Sequence, residues 1–299
     1  MRKTRKTFLL AGILGLTAVM QAFAMVNAAC GPESAQFTQA GPGSVQQETG
    51  APLVMEASRK NPSQQGPGSA GPSGPGEAAA QAAQAAQTQT VTSGGRAIDP
   101  AKPMIAITYD DGPQTEAGNR IIDTYLKYNQ RCTFFVVGDR VASRASEVKR
   151  MAENGFEIGN HSYSHKYLNK CDAQTIRSEI AKCNEAIAAA TGITPAVMRL
   201  PGGNKNDTVL ANVNMPIILW NVDTRDWDHR NAQKSIDAVV GKVKDGDIVL
   251  MHELYGATAD ATEVIVPKLL EQGFQLVTVS ELAAYKGKQL NPNQIYYSF

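Results

Sequence analysis

Cysteine is scarce, with 4 in 299 residues, which excludes a small scaffold stapled by disulfides. Charge of either sign is equally unspent. The 29 Lys and Arg offset the 28 Asp and Glu to leave a formal charge of +1, and no sustained basic stripe runs along the chain. Nucleic acid is therefore not an expected partner, because phosphate binding needs such a stripe. Residues 30–97 also have few large apolar side chains and no hydrophobic period, reading GPGS, NPSQQGPGSAGPSGPGE and AAAQAAQAAQTQT. A segment of this composition cannot bury enough surface to fold, so it is expected to be a disordered low-complexity linker, spanning about 40 to 50 Å as a flexible chain. About 200 residues remain, enough for one well-packed domain.

Ahead of the linker, Arg2, Lys3, Arg5 and Lys6 precede an apolar run from Phe8 to Ala24. That order of charge and then hydrophobicity is the pattern of an export signal over residues 1–29. Ala22 and Ala24, or Val26 and Ala28, suit signal peptidase. The run to Ala29 is also just long enough to remain in a bilayer as an anchor. Asn27 is a poor third residue before a lipid-modified Cys30. Either outcome is expected to place the domain outside the cytoplasm, secreted or tethered to the membrane.

After Pro103 short apolar strands alternate with amphipathic helices. The strands read MIAITYDD, CTFFVVG, FEIGNHS, AVMRLPGG, PIILWNVD, DIVLMHE and QLVTVSE. Between them, Ile176, Ile180, Cys183 and Ile187 recur at helical spacing, as do Ile236, Val239, Val240 and Val243. Gly155 and Gly273 read as helix stops, and Pro267 as a kink in the helix that carries Val264 and Leu270. The alternation predicts an α/β domain with a mostly parallel sheet over residues 98–290, followed by a tail, 291–299. Seven such strands suggest a (β/α) barrel, with an open doubly wound sheet as the alternative. Cys132 and Cys183 fall on apolar faces and read as core. Cys171 and Cys183, if both on one helix, stand about 18 Å apart along its axis, too far for a disulfide.

Several strands end in polar groups: Asp110 and Asp111, His161 and His165, Arg199, Asp223 and Asp226, and His252. In a parallel sheet these ends share one rim, where such folds place their sites. Singly, each has a bland reading. The Asp-Asp-Gly-Pro stretch suits a strand exit, the two histidines could meet on a helical turn without binding anything, Arg199 could pair at the surface, and Trp227 could be core. His229, with no strand end beneath it, reads as a surface residue. Together, two imidazoles and one carboxylate make a three-ligand metal site with open positions, and a second carboxylate beside it is left to take a proton.

TYDDGP (108 to 113), HSYSH (161 to 165), RLPGG (199 to 203), DTRDW (223 to 227) and LMH (250 to 252) resemble, in order, the five motifs of the NodB-homology polysaccharide deacetylases, carbohydrate esterase family four. The resemblance covers roughly residues 98 to 285. It implies a distorted (β/α) barrel of seven to eight parallel strands and metal-dependent removal of N-acetyl or O-acetyl groups from a polysaccharide. It further implies Asp110 as catalytic base, Asp111, His161 and His165 as metal ligands, and His252 as general acid held by Asp226. Arg199 would orient Asp110, the backbone N–H of Gly202 would meet the oxyanion, and Trp227 and Leu250 would wall the acetyl methyl. The implied cofactor is a divalent metal, Zn²⁺ first, with Co²⁺, Mn²⁺ or Ni²⁺ as alternatives.

Two positions depart from the family pattern. Gly202 stands where many members carry an aromatic residue, so one wall of the groove is expected to be low. Glu253 stands where Asp is commoner; it is assigned no catalytic role, and the replacement reads as neutral. The expected substrate is peptidoglycan or another N-acetylglucosamine polymer, acted on by a monomer. Chitooligosaccharide and O-acetyl xylan are the alternatives, and an inactive carbohydrate-binding protein is the alternative of another class.

Overall fold

A computed structural model describes residues 91–93 and 96–299; the expected export signal or anchor (1–29), and the linker up to residue 90, lie outside the described residues. The strands are β1 (Val91–Ser93), β2 (Arg96–Ile98), β3 (Met104–Gly112), β4 (Thr133–Val136), β5 (Glu157–Asn160), β6 (Ile217–Ile218), β7 (Val222–Asp223), β8 (Ile248–His252), β9 (Gln275–Leu276) and β10 (Ile295–Tyr296). The helices are α1 (Glu116–Lys127), α2 (Gly138–Val141), α3 (Ala145–Glu153), α4 (Ala173–Thr191), α5 (Asp207–Asn212), α6 (Asp226–His229), α7 (Ala232–Val239), α8 (Gly256–Glu271) and α9 (Val279–Tyr285). Among the described residues no helix is long and apolar enough to cross a membrane.

β3 is the axis of the sheet, and every residue in it except Asp111 is buried, as expected of a parallel strand covered on both faces. It pairs in parallel with β4 on one side and β8 on the other, while β9 pairs with its first residues. β5 continues from β4 and β7 from β8. Single parallel bridges, Asn160 to Met198 and Met198 to Ile217, carry the path from β5 to β6. The chain then runs from β6 into β7 with no ladder between them among the described residues, so the strands form a small, distorted barrel whose hydrogen-bonded path is interrupted there.

Alternation along β3 sorts its side chains between two cores. Ile105, Ile107 and Tyr109 pack with Ile121, Ile122 and Ile265 from α1 and α8. Met104 and Ala106 pack with Phe135, Val197, Ile218 and Ile248. Thr108 and Asp110 continue this second face toward the rim, so the strand's period of two delivers Asp110 there.

α4 forms as the sequence predicts. Asp172 accepts from Thr175 N at 2.7 Å, Gly192 closes the helix at φ 75°, and Ile176, Ile180, Cys183 and Ile187 make its buried face. Cys132 and Cys183 are core residues, whereas Cys171 precedes α4 instead of lying on it. α8 runs through Pro267 as one helix.

Three expectations are corrected. PIILWNVD forms two short strands, β6 and β7, and AVMRL is reduced to bridges at Met198; the Arg199 side chain takes the carbonyls of Ile218 and Leu219, which ends the ladder there. The described elements begin at Val91, ahead of the expected start at 98, because Arg96 is 3% exposed and paired with Glu281 at 2.5 Å. Residues 291–299 are not a loose tail: β10 pairs in parallel with β6, and Phe299 N donates to Gly246 O. Ile295 and Tyr296 bring apolar surface and backbone partners to what would otherwise be a sheet edge.

Candidate active site

The two adjacent aspartates reach the same rim through a bulge. Pairing of β3 with β4 skips from Asp110 to Gly112, and Asp111 sits at φ 70°. In a regular strand Asp111 would face opposite to Asp110. The extra residue re-aims it.

Arg199 fixes Asp110 from within the barrel. Its side chain is fully buried, with the guanidinium 4.2 Å from the Phe135 ring centroid and 5.5 Å from that of Trp220. Nη1 donates to Asp110 Oδ1 at 2.8 Å and Thr108 Oγ1 at 2.6 Å, Nε to Ile218 O and Nη2 to Leu219 O, both at 3.0 Å. A planar fork with four acceptors holds the carboxylate in one orientation. Burial pulls the guanidinium below its ordinary range, and Asp110 opposes that pull.

His161 and His165 meet across a loop, not on a helical turn, with Ser162 at φ 61° and His165 at φ 55°. Asn160 Oδ1 accepts from Ser162 N, and Glu179 accepts from both Ser164 N and Ser164 Oγ, each at 2.8 Å. These bonds hold a left-handed backbone that non-glycine residues rarely adopt. His161 Nδ1 lies 2.9 Å from Arg199 O, which fixes that nitrogen as the donor and leaves Nε2 with its lone pair toward Asp111.

His165 Nε2 stands 3.0 Å and His161 Nε2 3.4 Å from Asp111 Oδ1. That oxygen is buried and has no hydrogen bond among the described residues. The ligand atoms of Asp111, His161 and His165 all lie within 4.8 Å of one another. Three donors converging in this way could hold a cation between them, and an N₂O set suits a divalent one. Without one, the same crowding acts on protons. Burial raises the Asp111 carboxyl, yet the two imidazoles outweigh it and hold the group far below the carboxylate range. Burial lowers His161, and Asp110 and Asp111 outweigh it to raise the ring.

Across β3 from this cluster, Asp110 and His252 are register partners in the β3–β8 pairing. His252 Nδ1 meets Asp226 Oδ1 at 2.8 Å, and His252 N donates to Oδ2 at 2.8 Å. Burial pulls the imidazole down, but the Asp226 hydrogen bond and the charges of Asp110, Asp226 and Asp111 raise it to about 8.

The remaining expected residues are placed less uniformly. Trp227 is 46% exposed beside Asp226, whereas Leu250 is 3% exposed within β8. Gly202 turns at φ 64°, and its open face is covered: a Cβ built there would lie 2.8 Å from Cε1 of Tyr167. The wall expected to be low is thus occupied by the Tyr167 ring, whose centroid is 6.5 Å from that of His165. His229 is not a simple surface residue, since Nε2 donates to Thr224 O and Nδ1 accepts from Asn231 N.

Glu253 is more than a neutral replacement. Its carboxyl is fully buried, Oε1 accepts from Gln114 N at 2.8 Å, and its own N–H donates to Asp110 O at 2.9 Å. It props the turn that leaves β3. Sequence reasoning missed Tyr167, whose signal was its place two residues after His165, and the role of Glu253. It also missed Thr258, which donates to Asp226 and had no motif to mark it.

The polysaccharide deacetylase family profile matches residues 97–215. Among curated relatives, the chain is 39% identical over 189 residues to peptidoglycan-N-acetylmuramic acid deacetylase PdaC of Bacillus subtilis, covering 63% of this chain and 40% of that protein. It is 39% identical over 188 residues to peptidoglycan-N-acetylglucosamine deacetylase PgdA of Listeria monocytogenes, covering 62% and 40%. The chain therefore spans about 40% of the length of these two relatives. Among solved structures, a T48 deacetylase with substrate superposes with TM-score 0.64 at 36% identity, covering 67% of this chain and 100% of that one. A family 4 acetyl xylan esterase from Clostridium thermocellum, in complex with a cobalt ion, gives TM-score 0.63 at 35% identity, covering 65% and 98%. With the five motifs gathered on one rim of a matching barrel, the chain belongs to the polysaccharide deacetylase family, carbohydrate esterase family four.

Proposed function

We propose that this protein acts outside the cytoplasm as a deacetylase of peptidoglycan, hydrolysing the N-acetyl group of N-acetylglucosamine residues and releasing acetate. One observation carries the reading: a carboxylate fixed by a buried arginine and an imidazole fixed by a buried carboxylate stand in register on adjacent strands, beside a three-donor cluster. A divalent cation held by Asp111, His161 and His165, zinc by first choice and cobalt, manganese or nickel otherwise, would supply polarisation of the acetyl carbonyl and a more acidic water.

The chain's own groups then divide the proton work. Asp110 takes the proton of the attacking water, whose oxygen joins the acyl carbon. His252 gives its proton to the departing nitrogen as the C–N bond breaks, so the products are acetate and a free amine. Asp226 steadies the imidazolium form of His252, and Arg199 keeps Asp110 from rotating away. The Gly202 backbone N–H is assigned to the oxyanion, and Trp227 and Leu250 to the acetyl methyl.

The peptidoglycan reading is supported by the export pattern of residues 1–29 and by the names of the relatives above. The same segment, left uncut, would tether a monomeric domain to the membrane. The test is acetate release from peptidoglycan, chitin oligomers and acetylated xylan, side by side, with added Zn²⁺ or Co²⁺ and with Asp110→Asn as the control. Peptidoglycan is expected to give the highest kcat/KM, with the variant down by at least about a hundredfold. Faster release from xylan or chitin would overturn the substrate, and release no greater than the variant's on every glycan would overturn the enzyme.

A further inference from the structure

We propose that Thr258 completes the proton-donating unit as a positioning residue, fixing the Asp226 carboxylate and through it the ring of His252. The inference rests on the deacetylase reading for its consequence in catalysis, while the contact itself belongs to the fold. Thr258 Oγ1 donates to Asp226 Oδ2 at 2.6 Å, with Thr258 fully buried and Asp226 2% exposed. Asp226 Oδ2 also accepts from His252 N at 2.8 Å, and Oδ1 accepts from Trp227 N at 3.0 Å and from His252 Nδ1 at 2.8 Å. Each oxygen has two lone pairs, so these four donors fill the carboxylate. It can neither rotate nor exchange partners without leaving a buried donor unmade.

The direction of the Thr258 bond is set by what surrounds it. An ionised carboxylate only accepts, so the hydroxyl proton points to Asp226. The bond is not a helix cap, because Thr258 lies in the first turn of α8 and its hydroxyl reaches across to α6. Thr258 O accepts from Thr262 Oγ1 at 2.8 Å. That commits the Thr262 proton, so Tyr109 OH, 2.9 Å away, donates to Thr262, and Tyr125 OH donates to Tyr109 at 3.2 Å. This chain ties the first turn of α8 to Tyr109, the residue next to Asp110 on β3. The holder of the acid and the strand that carries the base are therefore linked by buried hydroxyls.

Thr258→Val keeps the shape and removes the donor, whereas Thr258→Ser keeps the donor. In the full chain, the Val variant is expected to lose roughly tenfold or more in kcat with KM within about twofold, and Ser to recover most of the loss. A second readout does not need turnover: the NMR titration midpoint of His252. The charged groups facing that ring are Asp226, Asp110 and Asp111, and Thr258→Val leaves the last two in place. The midpoint is expected to move by about half a unit or more in Val and to stay near the parent value in Ser. An unchanged midpoint and kcat in Val overturns the proposal, as does an equal loss in Val and Ser with matching falls in Tm. If the parent protein releases no acetate from any glycan, the deacetylase reading fails, and the NMR comparison still decides whether Thr258 holds the pair.

Discussion

Arg199 does two jobs that a lysine could not share, bridging Asp110 and the backbone carbonyls of Ile218 and Leu219 while lying between Phe135 and Trp220. Arg199→Met would leave Asp110 buried without its guanidinium partner. The expected loss is about 3–5 kcal/mol in urea unfolding, together with a fall in acetate release of at least about a hundredfold. The folded His252 ring titrates at about 8 against 6.5 for the ordinary group, so it is raised. Its contribution to stability, about 2 kcal/mol, is full below pH 6.5 and is lost as pH rises through about 8. The acid form disappears over the same range, so kcat is expected to fall above pH 8, a limb that a pH profile of His252→Gln would lack. These residues were legible in the sequence because each closes an apolar strand. Thr258 was not, because nothing local distinguishes it from any other helical threonine.

The turn from β3 to α1 shows what elements add to residues. Glu253 fills the space that side chains at positions 112 and 118 would need: a Cβ on Gly118 would lie 2.1 Å from its Oε1. Gly118→Ala is expected to lower Tm by several degrees and to slow acetate release, because Glu253 must leave Gln114 N. In a Glu253→Ala background the same substitution is expected to be near neutral, which a four-protein double-mutant cycle in Tm would read directly. Burial raises the Glu253 carboxyl from 4.5 to about 8. The unfolded chain ionises first, so stability is lost as pH rises from 4.5 toward 8. Glu253→Gln, which cannot ionise, is therefore expected to gain on the parent protein between pH 5 and 8, measured by urea unfolding at each pH. The sequence marked a strand exit here and two aspartates in it. It carried no sign of the bulge at Asp111, since a bulge is a property of two strands and their register.

Residues near the C-terminus support the rim that carries Arg199 and Asp110. Ile217 N donates to Gln294 O and Leu219 N to Tyr296 O, while Ile218 O and Leu219 O receive Arg199. Removing residues 295–299 is expected to lower Tm by several degrees and to reduce kcat by more than KM, because the segment that orients Arg199 loses its neighbour. Unchanged kinetics in the shortened protein would show that β6 holds itself. Arg96, near the start of the described residues, acts similarly by pairing with Glu281 in the first turn of α9. Both segments were read as periphery because short polar stretches resemble tails until a partner strand or a buried carboxylate is known.

Periodicity and side-chain chemistry already set the alternation of strands and helices, the strand ends that carry chemistry, and the donor types that converge. Tertiary structure decided how Asp110 and Asp111 come to face one rim, through a register shift between β3 and β4. It also decided how His161 and His165 meet on a left-handed loop braced by Glu179, and why a glycine at 202 leaves no gap beside Tyr167. The physical reason is common to all three. Register, backbone handedness and mutual burial are set by partners far away in the chain, and a residue's own neighbours in sequence do not encode them.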